Sequence, residues 1–223
     1  MFYIYFLYKL KRTKLLYYMI KIEYNFYNDY INNDNFKRLF NKRINKISKD
    51  IKEKYIKTTN IIEDYFVEIF SWSVIPKFLL LEIDLLLQYY INDYTIIDPC
   101  SGNSFHTFLF NNFCNRNVIT IDIQVEENAW IDTLEYDGLL YMQNKIHSFD
   151  NKVLLLSWID YDDLTYGLLK SYKGEIVISV GNYDETNSKK YLQELNKTYL
   201  LLKHYKLEMP WKSIENFCIF KKI

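Results

Sequence analysis

The sequence predicts an α/β chain: a mostly parallel sheet from about residue 70 onward, preceded by a helical, basic N-terminal extension. Short apolar runs alternate with helical patterns from Tyr94 to the end. Residues 35–70 contain no Gly or Pro and repeat apolar residues at helical spacing. Charge divides along the same line. Residues 1–57 carry 14 Lys and Arg against 5 Asp and Glu, a net of +9, and the remainder carries 14 against 23, a net of −9.

Taken in order, the opening "MFYIYFLYKLKRTKLLYYMI" is apolar but broken by Lys9, Lys11, Arg12 and Lys14. It is too short and too charged for a membrane span, and its order is wrong for a secretory signal. Met19 offers an alternative start. A soluble, cytoplasmic protein is expected. In the basic stretch, Phe36, Leu39, Phe40, Ile44, Ile47 and Ile51 form an amphipathic stripe. Thr59 or Asn60 suits the start of a second helix, with Glu63 and Asp64 in its first turn. Pro76 opens a third, with Leu79, Leu80, Ile83, Leu86 and Leu87 on one face.

Beyond Asn92 the pattern changes. "YTIID" (94–98) reads as a buried strand, followed by a bend and the helical "SFHTFLFNNF". "NVITID" (117–122), "NKVLLLSW" (151–158) and "EIVISV" (175–180) read as further strands, with the helical "DDLTYGLLKSY" between the last two. "SKKYLQELNKTYLLLKHY" (188–205) reads as one helix and "ENFCIFKKI" (215–223) as a final strand.

The chain contains 22 Tyr and 15 Phe and is also rich in Asn, Ile and Lys, a bias that AT-rich coding DNA produces. Scattered surface Tyr, Asn and Lys are therefore background. Cys100, Cys114 and Cys218 are odd in number and far apart, so neither a disulfide framework nor a zinc site is expected. His147 and His204 lack neighbours at metal-ligand spacing; His106, just past the bend, is placed where it could face the ligand but is assigned no role. GxSxG, HExxH and the Walker GxxxxGK are absent, leaving hydrolase, zincin and nucleotide-triphosphatase readings unsupported.

Strand, turn, helix, strand ending in acid is the first βαβ unit of a nucleotide-binding sheet, whose ligands lie at the carboxyl ends of the strands. Asp98 and Asp122 end its two strands. An acid closing the second strand suits ribose hydroxyls, and Gly102 suits a close approach of backbone to ligand. GxGxxG is absent, which disfavours a dinucleotide and favours a ligand without phosphates such as S-adenosylmethionine. A plain strand-to-helix turn remains the alternative. A second cluster lies in "VLLLSWIDYDD", where Trp158 and Tyr161 suit a flat ring and Asp160 or Asp162 a proton or hydrogen bond. The alternative there is a core Trp with capping aspartates.

Several of these pieces together resemble one poorly characterised group of class I S-adenosylmethionine-dependent methyltransferase-like proteins, found in bacteria, fungi and large DNA viruses. They are "FSWSVIP" (70–76), "DPCSGNSFH" (98–106), Asp122, "LLLSWIDY" (154–161), "YKGEIVISVGN" (172–182), and Trp211 followed by "FCIFKK". The resemblance covers roughly residues 70–223. It implies a Rossmann-like class I methyltransferase sheet of seven strands, the last antiparallel, after a helical extension over 1–69. It further implies S-adenosyl-L-methionine as cofactor. Asp98, Pro99, Cys100, Ser101, Gly102 and Asn103 would line the methionine moiety, Asp122 the ribose and Asp137 the adenine. Ser157, Trp158 and Tyr161 would form the acceptor side. Viral origin and the acceptor stay open.

The chain departs from the group's pattern at Cys100 and Ser104, where glycines are usual, at Ile159-Asp160, where Pro-Pro is usual, and at Asn182, where Glu is usual. Positive φ at 100 or 104 would be strained. Three functions are therefore expected in competition: methyl transfer to an unknown acceptor, a catalytically inactive binding module for nucleic acid or protein, and methylation of a nucleic-acid base. In the last two, basic residues 37–57 would contact the anionic partner.

Overall fold

The computed structural model describes residues 30–54, 66–144, 148–159, 162–182, 188–209 and 213–223, with the side chains of 47–54 and 162 outside the description. The expected helix start at Thr59 or Asn60, Asp160, Tyr161, His147 and Trp211 fall outside it. By internal packing the chain divides into two units, Met1–Ile69 and Phe70–Ile223.

In the first unit, helix α1 runs over Asp34–Lys54. Asn33 precedes it, and its Oδ1 accepts the Phe36 N–H at 2.9 Å, satisfying one of the four amides a helix start leaves open. Phe36 and Phe40, one turn apart, are buried and stack at 5.9 Å. Arg43 is buried too, and its guanidinium donates to the Glu68 carbonyl from Nε at 3.2 Å and Nη2 at 2.6 Å. Of the basic residues expected to meet an anionic partner, Lys37, Arg38, Lys42 and Lys46 are exposed, whereas Arg43 is not.

The second unit holds a seven-stranded sheet in the order β3-β2-β1-β4-β5-β7-β6. The strands are β1 (Thr95–Asp98), β2 (Asn117–Asp122), β3 (Leu134–Glu135), β4 (Lys152–Ser157), β5 (Ile176–Gly181), β6 (Tyr199–Glu208) and β7 (Ile214–Lys222). β1 to β5 pair in parallel, and β7 alone runs antiparallel, to both β5 and β6. This is the seven-stranded, Rossmann-like sheet with an antiparallel last strand that the sequence predicts. The helices are α2 (Lys77–Tyr90), α3 (Phe105–Cys114), α4 (Gly138–Gln143), α5 (Asp162–Ser171) and α6 (Lys189–Thr198).

The central strands follow from composition. β4 and β5 are covered on both faces, so they are continuous apolar runs rather than alternating ones. Leu154 and Ile178 are fully buried, and truncating either to Ala would cost about 2–5 kcal/mol. Pro76 precedes α2, as expected, and Leu79, Leu80, Ile83 and Leu87 face the core. Asp84 shares that buried face and is met by Arg116 Nε at 2.6 Å and Tyr94 Oη at 2.5 Å.

Two expectations need correction. The helix predicted over 188–205 ends at Thr198, and Tyr199 onward is β6. Leu200, Leu201 and Leu202 fit either periodicity. The open edge of β7 decides, because its backbone groups need partners that only a strand supplies. The short β3 and α4 were not anticipated, since neither is long enough to carry a periodic signal.

β1 sits at the switch point, with β2 on one side and β4 on the other. In sheets of this kind ligands bind beyond the carboxyl ends of the strands at such a switch point, here the ends of β1 and β4. No helix among the described residues is long and apolar enough to cross a membrane.

Candidate active site

The loop from β1 to α3 is held from several directions. Ser101 donates its backbone N–H to the Ile121 carbonyl at 3.0 Å, tying the loop to β2. The turn closes through the Ser104 N–H on the Ser101 carbonyl at 2.7 Å. Gly102 has φ +51, and a Cβ built on it would meet nothing within 4 Å. Glycine is needed there for its backbone angle, and the space in front of it is open. Ser104 takes φ +62, the left-handed conformation that is strained for a residue with a side chain. Its hydroxyl, 2.7 Å from Thr133 Oγ1 and 3.1 Å from Ser101 Oγ, helps to hold that conformation. Cys100 is not among the positive-φ residues. Burial pushes its thiol up to about 12, so it is not a thiolate nucleophile.

Two carboxylates bracket the loop. Asp122 Oδ2 accepts the Gly102 N–H at 2.8 Å and its Oδ1 accepts the Gln124 N–H at 3.0 Å. Asp98 is buried; its Oδ2 accepts from Thr107 Oγ1 at 2.7 Å and its Oδ1 has no hydrogen-bond partner. Burial raises its carboxyl to about 7, helped by the Asp122 charge and opposed by the Thr107 bond and by a hydrogen bond from the Cys100 backbone. A buried oxygen without a donor is what a ligand ammonium would satisfy.

The other expected residues fall around this pair. Asn103 is turned inward: its Nδ2 donates to the Phe70 carbonyl at 2.6 Å and its Oδ1 accepts from the Phe105 N–H at 3.1 Å. Asp137 caps α4, its Oδ1 accepting the Leu140 N–H at 2.9 Å. Gly138, next to it, lies so close to the loop that an added Cβ would stand 1.8 Å from the Pro99 carbonyl oxygen. Pro99 and α4 are thus in backbone contact, which the sequence did not signal.

On the β4 side, Ser157 Oγ is 3.1 Å from His106 Nδ1, and His106 Nε2 is 3.1 Å from Ser73 Oγ. The imidazole and Ser73 are buried. Burial pushes His106 down to about 4, against a hydrogen bond with the Ser73 backbone that raises it, so the ring is neutral. Sequence reasoning missed His106, although "FSWSVIP" and "LLLSW" supplied both of its partners. Trp158 has φ +50, an outlier for a bulky residue, and stacks on Trp72 at 5.0 Å with 24° between the rings. Its Nε1 is buried without a partner. Behind the loop, Trp130 packs among Phe70, Phe105 and Phe108 and donates its backbone N–H to the Asn103 carbonyl. His204 is remote from this site, on the exposed side of β6 against Asn216. Among the described residues no group of His, Cys, Asp and Glu could hold a metal ion.

No family model matches the sequence, and no curated protein matches it. Several solved structures are similar in backbone. A putative methylase from Haemophilus influenzae has 10% identity and a TM-score of 0.46, over 66% of this chain and 88% of that one. TrmN from Thermus thermophilus has 11% identity and 0.46, over 67% and 49%. The Burkholderia thailandensis 1,6-didemethyltoxoflavin-N1-methyltransferase with bound S-adenosylhomocysteine has 7% identity and 0.43, over 63% and 76%. The fold assignment rests on the strand order and not on these likenesses.

Proposed function

We propose that residues 70–223 form an S-adenosylmethionine-dependent methyltransferase domain. Its cofactor lies over the 98–104 loop and the end of β2, and its acceptor beside the end of β4. The observation that carries this reading is the Asp122–Gly102 bond, which joins the acid of β2 to an open, left-handed glycine in the β1 loop. Asp98 would take the ammonium and Asp122 the ribose hydroxyls, its oxygens keeping lone pairs beyond the two backbone bonds. Asp137 and the start of α4 would border the adenine.

S-adenosylmethionine, held by Asp98, the 98–104 loop and Asp122, would supply an electrophilic sulfonium methyl for the acceptor's lone pair. The protein's part is to hold the acceptor in line and exclude water, an orientation effect. Ser157, Trp158 and Tyr161 would do so on the acceptor side. The alternative of an inactive module rests on the two lost glycines and on the missing Pro-Pro at Ile159-Asp160; against the first, Ser104 keeps the loop formed at φ +62. Calorimetry with S-adenosylmethionine and its demethylated product tests the proposal. No binding by the full chain sinks it, and binding that Asp122→Ala leaves unchanged sinks the site assignment.

A further inference from the structure

The basic stretch ahead of the sheet has no part in the proposed methyl transfer, yet its charges are sorted within α1 (Asp34–Lys54). Phe36, Phe40 and Arg43 recur one turn apart and are all buried, with Arg43 engaged by the Glu68 carbonyl. Lys37, Arg38, Asn41 and Lys42 lie on the opposite face and are exposed. Arg38 and Lys42 are one turn apart, and exposed Lys46 continues their row at about 6 Å per step along the axis. Residues 35–49 contain six Lys and Arg and no Asp or Glu. The whole chain has 28 of each sign, so this run is a segregation of charge and not a mere abundance of lysine. Like charges one turn apart weaken a helix, and exposed helices ordinarily alternate signs to gain the opposite effect. α1 does not, and an anionic partner along this face turns the repulsion into attraction.

We infer that the outer face of α1, from Lys37 to Lys42, docks the phosphate backbone of a nucleic acid without reading its sequence. Arg38 is already oriented for this: its Nη2 donates to Asn35 Oδ1 at 2.8 Å, which uses one of its five N–H donors and leaves the guanidinium exposed. A membrane surface fits less well, because an interfacial helix needs an exposed apolar face beside its cations. Phe36 and Phe40 are buried instead, and among the described side chains no large hydrophobic residue of α1 is exposed. An acidic peptide lacks the regular charge of a nucleic acid, about one per 3.4 Å of each strand. Asn41, between the cations, adds an amide that suits phosphate and sugar oxygens. The inference is independent of the proposed methyl transfer, since it assigns a partner surface in the first unit and not the methylated group.

The test is fluorescence anisotropy of the full chain with a labelled single-stranded RNA of about 20 nucleotides and the DNA of the same sequence, from about 50 to about 200 mM salt. Affinity is expected to fall linearly with salt on logarithmic axes. Lys37→Gln, Arg38→Gln and Lys42→Gln together remove three phosphate contacts, so the slope should flatten by about 2. Across that range of salt the triple variant should then lose roughly twentyfold less affinity than the parent. Lys42→Gln alone should flatten the slope by about 0.7, which decides the matter if the triple variant does not fold. Lys189→Gln, Lys197→Gln and Lys206→Gln, at exposed lysines of the second unit, remove the same charge and should leave the slope unchanged. Failure of the full chain to bind either strand overturns the inference. So does an unchanged slope in the α1 variants, or an equal change in the second-unit control. Vesicles of phosphatidylcholine and phosphatidylserine, or polyglutamate, bound as tightly as RNA at the same salt point to a membrane or an acidic protein and also overturn it. RNA bound without DNA, or DNA without RNA, supports it and assigns the source of the phosphate chain. Label transfer from S-adenosylmethionine is read separately and bears only on the methyltransferase reading.

Discussion

The Asp122 carboxylate accepts the Gly102 backbone N–H at 2.8 Å, so the end of β2 and the turn after β1 are one unit. A charge-assisted bond of this kind contributes about 1.5–3 kcal/mol. Asp122→Ala removes it together with the ribose partner. S-adenosylmethionine affinity should fall roughly tenfold to a hundredfold by calorimetry. Asp122→Asn, which keeps one acceptor oxygen, should fall in between.

Gly138 makes a second, steric prediction. A methyl group there would overlap the Pro99 carbonyl oxygen, a backbone atom that cannot swing aside. Gly138→Ala should displace α4 or the loop, lowering the urea midpoint by the equivalent of about 1–3 kcal/mol. Gly102→Ala meets open space and is strained only by its φ, so it should cost about 1 kcal/mol. The reverse ranking in urea denaturation would show the α4–loop contact to be wrong.

Asp98 and His106 should have opposite effects on stability as pH changes. Burial raises the Asp98 carboxyl to about 7, above its unfolded value, so the folded state holds an extra proton between about pH 4 and 7 and loses stability as pH rises through that window. Burial lowers His106 to about 4, below its unfolded value, so the unfolded state holds the extra proton and stability is gained as pH rises from about 4 to 6.5. In the native protein the two slopes oppose. Asp98→Asn should steepen the rise in stability between pH 4.5 and 6.5, and His106→Gln should turn it toward a fall. Urea midpoints across this range, each taken against the parent protein, check both; parallel curves for all three proteins would refute the assignment.

Asp84, on the buried face of α2, should be the costliest charge to orphan. Burial pushes its carboxyl up, but bonds from Arg116, Tyr94 and Gln88 outweigh it and hold the group below the ordinary range. Arg116→Met leaves that charge without its cation and should cost on the order of 3 kcal/mol at pH 7. The deficit should shrink as pH falls through the Asp84 range, because protonation removes the orphaned charge. Thermal unfolding of Arg116→Met at pH 7 and pH 4 checks the sign.

The sheet itself was legible in the sequence, because a strand covered on both faces is a short continuous apolar run: "TIID", "VLLLS" and "IVISV" are each too short for a helix and bounded by turn residues. Asp98 and Asp122 were legible for the same reason, since an acid at the end of such a run must lie where the strand leaves the core. Gly102 was legible as the loop's conformational hinge, but that Ser104 takes left-handed backbone while Cys100 does not was decided by the packing of the loop. The residues 199–208 were not, because three leucines in a row fit a helix and a strand equally, and the choice belongs to the unpaired edge of β7. Gly138 against Pro99 joins positions far apart in the chain, and local pattern carries no information about such a contact. His106 is the clearest case. The sequence shows one histidine beyond a bend, and only the packing of α3 against the segment before α2 and the end of β4 places a serine on each of its nitrogens. Burial then keeps the ring neutral and gives those two serines opposite roles.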